Sequence, residues 1–159
     1  MTTNPIAPTT GRNTAVGPRY ALIPVHGYGI AVATVACMLD TDGGGATACV
    51  LHPGEPIPLG AWPVLLAETT VYGAICVERT LRSWHPQAPR PWLVLAADAP
   101  APPPPDARYR IRALQSRLAG TASLPYLPSL RAVEGPEAAL EHKDVKRAAA
   151  KLRRQLEGN

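Results

Sequence analysis

"RYALIPVHGYGIAVATVACML", residues 19–39, decides how the rest of the chain is read. An apolar opening leads into two glycines around Tyr28, and a continuous run of small and branched residues follows. Taken as one piece, residues 20–39 carry no acid, lysine or arginine and are long enough to cross a bilayer. Taken as three pieces, they are a buried strand over 19–25, a tight turn, and a short helix over 30–39 buried on most sides. Pro24, His26, Gly27 and Gly29 cluster in the first half, and proline and glycine interrupt a helix. The three-piece reading is favoured, and no membrane span is expected.

Punctuation organises the remainder in the same way. "DTDGGG" from Asp40 breaks the first helix, "ATACVLH" (46–52) reads as a short strand, and "PGEPIPLGAWP" is loop. "PVLLAETT" (63–70) reads as a buried strand ending in polar residues. Thr69 or Thr70 then caps a helix reaching about Trp84, with Ala74, Val77, Leu81 and Trp84 on one face. "WLVLAA" (92–97) is a continuous apolar run terminating on Asp98, and "DAPAPPPPD" is a stiff polyproline-like connection. Asp106 is the expected cap of a helix over 107–119, with Ile111, Leu114 and Leu118 inward and Gly120 as its stop. "TASLPYLP" is the expected final strand, and a helix over 136–157 closes the chain. This order predicts an α/β fold: a small, mostly parallel sheet flanked by helices in three layers. The strand runs are continuous rather than alternating, so both faces of the sheet should be covered.

Composition bounds the class. The 159 residues include 19 prolines and no phenylalanine, so alanine, valine and leucine must fill the interior. Expected divisions are a disordered arm over 1–18, an α/β domain over 19–133 and a basic amphipathic helix over 134–159. Cys37, Cys49 and Cys76 are odd in number and widely spaced, which reads as reduced thiols in a cytoplasmic protein. His26, His52, His85 and His142 supply no close-spaced pair, so no metal site is expected. No serine sits in a G-x-S-x-G elbow, which leaves a hydrolase reading without an anchor.

Three segments carry a resemblance: "HGYGIAVATVA" (26–36), "LVLAADAP" (93–100) and "SLPYLPSLR" (123–131). Their layout resembles the partition-type ATPases of the ParA/MinD group, whose phosphate loop is K-G-G-x-G-K-[ST]-[ST]. It is more similar to degenerate versions from actinobacteria, often on mobile elements, with H-G-G-x-G-x-S-T, a later strand ending in A-D-A-P and a short L-P motif. The resemblance covers residues 19–131 and implies a degenerate P-loop NTPase-like fold. It places a vestigial nucleotide site at His26, Gly27, Gly29, Thr34 and Asp98, with Asp98 matching the strand-end acid of a magnesium site. The turn departs from the pattern. With Thr34 on the last threonine, Val32 holds the lysine position and Ala33 the metal-binding hydroxyl position. Phosphoryl transfer depends on positioned cations. No catalysis is therefore expected and no cofactor, with residual nucleotide binding left open.

The closing helix carries a narrow apolar face of Val145, Ala149, Leu152 and Leu156. Lys143, Lys146, Arg147, Lys151, Arg153 and Arg154 occupy its other side. That cationic side suits a solvated back, a partner protein, or nucleic-acid phosphates contacted without base reading. Arg108, Arg110, Arg112 and Arg117 would extend the patch if their helix lay beside this one. The expectation is an accessory or interaction protein with a protein partner, in maintenance or transfer of a plasmid or other mobile element. A nucleotide-binding switch and a nonspecific DNA binder are the alternatives.

Overall fold

A computed structural model describes residues 17–27 and 29–158. Most of the arm expected over 1–18 therefore lies outside the described residues. Five strands form one sheet: β1 (Tyr20–Pro24), β2 (Ala48–Val50), β3 (Trp62–Glu68), β4 (Trp92–Ala96) and β5 (Gly120–Leu124). Their order is β2-β1-β3-β4-β5, and every pairing is parallel rather than mostly so. This is a doubly wound order, with its switch point between β1 and β3. The first uncharged stretch is split between β1 and α1 (Ile30–Leu39). Among the described residues no helix is long and apolar enough to cross a membrane.

Prolines inside a parallel sheet need an unoccupied donor side. The Tyr20 N–H bonds Thr47 O on the β2 side, and the Val25 N–H bonds Leu66 O on the β3 side. By that alternation Pro24 points its missing donor toward β2, which has already ended. Pro63 precedes the β3–β4 ladder, which begins at Val64. Neither proline removes a ladder bond.

Helices cover both faces. On one face α1, the short α4 (Pro136–Ala139) and α5 (Lys143–Glu157) enclose Leu22, Val64, Leu66 and Val94. On the other, α2 (Val71–Arg82) and α3 (Pro105–Leu114) enclose Leu65, Ala67 and Leu93. Ala21 meets Leu51 and Ala61 in a minor cluster beneath the 51–61 connection. Leucine, valine and alanine supply most of these cores, as the absence of phenylalanine requires.

Several boundaries differ from expectation for physical reasons. Thr70 is the cap of α2: its hydroxyl accepts the Gly73 N–H at 2.9 Å. That helix ends at Arg82, leaving Trp84 packed on the core beyond it. Helix α3 begins at Pro105, because a proline fits the first turn, and Asp106 lies inside that turn without a capping bond. A 3₁₀ turn (Gln115–Arg117) ends the segment. Gly120 opens β5 instead of stopping a helix, since the Trp92 indole fills the space a β-carbon would need. The last strand stops at Leu124, and Pro128–Arg131 form a second 3₁₀ turn.

The expected single helix over 136–157 is two helices joined by a turn through 140–142. On one continuous helix Ala139 and Val145 would point about 120° apart. With the turn between them both reach 0% exposure against the same core. Among the thiols, Cys76 is buried while Cys37 and Cys49 are half-buried, and none is in a disulfide. Burial pushes the Cys37 and Cys49 thiols up, so both stay protonated near neutrality.

Asp40 caps α1 and gathers the glycine-rich connection. Its carboxylate accepts N–H donors from Gly45 (2.7 Å), Thr47 (2.8 Å) and Ala48 (3.3 Å). Partial burial pulls its pKa upward, and the three donors outweigh that and hold it below the ordinary 3.8. A depressed carboxyl contributes stability above its unfolded pKa, and that contribution is lost as pH falls through the folded value. Denaturant unfolding of wild type and Asp40→Ala should therefore differ fully above about pH 5, and the difference should shrink steadily below the ordinary carboxylate range.

Candidate functional site

Open α/β sheets bind ligands in the crevice outside the carboxyl ends of their strands, at the switch point. Here that crevice opens where β1 and β3 end beneath the first turn of α1. A cavity of about 330 Å³ is bounded by His26, Gly27 and Gly29, by Ile30–Val32 side chains, and by Leu66 and Glu68. A second cavity of about 400 Å³ adjoins it along Ile30, Ala31, Glu68 and Ala96, and runs past Asp98 and Tyr126 to Arg131.

The turn is built by three local choices. Gly27 takes φ +40, a left-handed value that disfavours a side chain. Gly29 is the cap of α1 in extended geometry and offers no capping side chain, and no acid occupies the first turn. The first amides of α1 therefore open toward the cleft without a partner from their own helix. His26 has a structural duty. Its Nε2 accepts the Glu68 N–H at 2.9 Å, which places the ring proton on Nδ1, and its ring lies 5.7 Å from that of Tyr72.

The expected site residues separate. His26, Gly27 and Gly29 border the cleft. Thr34 does not: it is 0% exposed, and its hydroxyl donates to Ile30 O one helical turn back at 2.7 Å. A threonine inside a helix commonly makes this bond, and here it withdraws the hydroxyl from any ligand. Asp98 borders the second cavity rather than the turn, because β3 stands between β1 and β4. Its carboxylate accepts the Thr69 hydroxyl at 2.8 Å. The acid that ends the strand beside β1 is Glu68, which the sequence motifs do not single out, whereas Tyr126 and Arg131 lie in the 123–131 motif without a role assigned to them. Glu68 nevertheless carries the signal that marks Asp98: a charge terminating a continuous apolar strand.

The closing helix also divides. Lys143, Lys146, Arg147, Lys151 and Arg154 are exposed and have no carboxylate within ion-pair distance among the described residues. Arg153 instead turns inward and donates to Met38 O at 2.8 Å, tying α5 to the end of α1. The arginines of 108–117 do not join this patch, because α3 and α5 lie on opposite faces of the sheet.

The cleft thus offers backbone N–H donors, an apolar floor, two strand-end carboxylates and an arginine at its outer rim. This set can hold a small polar ligand by hydrogen bonds and shape. Among the described residues it supplies no side-chain cation beside the α1 amides, where a triphosphate would need one. Compared with protein families, curated proteins and solved structures, the chain matches none.

Gly73, in the first turn of α2, sets how closely that helix approaches the cleft. A β-carbon there would overlap Glu68 O and come within 3.2 Å of His26 Nε2. Alanine normally stabilises a helix interior over glycine by about 1 kcal/mol. At this position the sign should reverse. Gly73→Ala is expected to cost about 1–3 kcal/mol in denaturant unfolding and to shift the His26 imidazole resonances as the Glu68 bond lengthens.

Proposed function

We propose that this protein is a non-catalytic accessory module on a partition-ATPase-like fold, whose switch-point cleft binds but does not cleave. Its setting, as the resemblance implies, is maintenance or transfer of a plasmid or other mobile element, with another protein as partner. The observation that carries the reading is the chemistry beneath α1. The loop threonine is bonded into its own helix, the loop histidine is bonded to the sheet, and the strand-end acid beside the turn is Glu68. With Val32 at the lysine position, no described side chain beside the turn neutralises the charge that develops during phosphoryl transfer. Incubation with ATP or GTP and magnesium should release phosphate no faster than buffer does. Turnover that co-purifies with the protein and disappears in Glu68→Ala would overturn the proposal.

A second reading is favoured by α5. Five exposed cations spread along one helix suit a run of phosphates, as on duplex DNA. The control cannot be removal of the helix, because Val145 and Leu152 are 0% exposed in the core it covers. Point changes on the outer face are the proper test. If DNA is bound there, affinity falls steeply with salt. Lys146→Gln with Lys151→Gln should then lower the log–log salt slope by about 0.9 for each phosphate no longer neutralised. An unchanged slope would remove α5 from DNA binding.

A further inference from the structure

The four arginines of 108–117 look equivalent in sequence, and the structure divides them. Arg110 pairs with Glu78 at 3.2 Å, and Arg117 donates to Leu81 O. Arg108 and Arg112 have no carboxylate partner among the described residues. Four residues apart, they share one face of α3, and Gln115 follows in the 3₁₀ turn that extends it. All three border a cavity of about 230 Å³ between α3 and the ends of β3 and β4. This cavity lies on the α2/α3 face of the sheet, apart from the cleft under α1.

We propose that this cavity binds the phosphate group of a small organic phosphate ester. Two guanidinium groups one turn apart present forked donors to several oxygens, which is the pattern suited to phosphate. Thr70 adds a hydroxyl: its oxygen accepts the Gly73 N–H, which leaves its own proton free to donate. With Gln115 and Thr121 also at the rim, the donors exceed what the two oxygens of a carboxylate can engage. Thr69 contributes nothing, since its hydroxyl is given to Asp98. Glu68 borders the cavity and opposes an anion, so the lining charge is two cations against one carboxylate. The N-terminus of α2, capped by Thr70, opens nearby and adds the favourable end of a helix dipole. Leu95, Pro103 and Ile111 form an apolar wall, which an ester's organic body would cover and bare phosphate would not.

The test is calorimetric titration of the full chain with phenyl phosphate and with inorganic phosphate at constant ionic strength. Resonances of the Gln115 amide and the Arg108 and Arg112 Nε–H groups are followed in parallel. Phenyl phosphate is expected to bind more tightly than inorganic phosphate and to shift those resonances. Arg108→Gln with Arg112→Gln should weaken binding at least about tenfold, the scale of one charge-assisted hydrogen bond. Both side chains are exposed, so the double variant should keep its fold, which circular dichroism checks. Arg90→Gln, in the exposed loop ahead of β4 and outside the cavity lining, should leave binding unchanged. Three results would overturn the proposal: no binding of phenyl phosphate at millimolar concentration, equal affinity in the Arg108/Arg112 variant, or binding of inorganic phosphate alone.

Discussion

Strand β3 runs two residues past the end of β1, and His26 takes up the donor this leaves. The β1 ladder stops at Pro24 opposite Leu66, with Val25 adding one more bond. The Glu68 N–H would otherwise have no protein partner on that side of the sheet, and His26 supplies one at 2.9 Å. By accepting that N–H, His26 fixes the path of the turn, and so fixes where α1 starts. Gly73 can then bring α2 in close behind the same histidine. The crevice between β1 and β3 has its shape because these contacts hold its two walls at a set separation.

Much of this was legible in the sequence. Continuous apolar runs ended by proline or a charge marked β1, β3 and β4, and the spacing of Ala74, Val77 and Leu81 marked α2. The strand order was not legible. It depends on β3 crossing to the far side of β1 through the 51–61 connection, and nothing in "HPGEPIPLGAW" states a direction. That crossing decides the site, since it makes Glu68 rather than Asp98 the neighbour of the turn. The division of the closing helix was equally hidden. Leu140, Glu141 and His142 are ordinary helix residues, and only the need to bury both Ala139 and Val145 against one core bends the chain there. Thr34 is the intermediate case. Its back-bond to Ile30 is a local habit of threonine in helices, open to a residue at any buried helical position and so not distinguished by the phosphate-loop pattern.

The charges are sorted by the layers of the fold. The exposed cations of α5 lie on one side of the sheet, Arg108 and Arg112 on the other, and Glu68 and Asp98 stand at the strand ends between them. A composition with a formal charge of +4 hides this arrangement, because opposite signs cancel in the sum while their fields do not cancel at the surface. An anion approaching the central cleft meets carboxylates at the strand ends, whereas one approaching either flank meets unpaired cations. The fold therefore sets exposed cations on its two outer faces and carboxylates at the strand ends between them. That separation follows from strand order and helix placement.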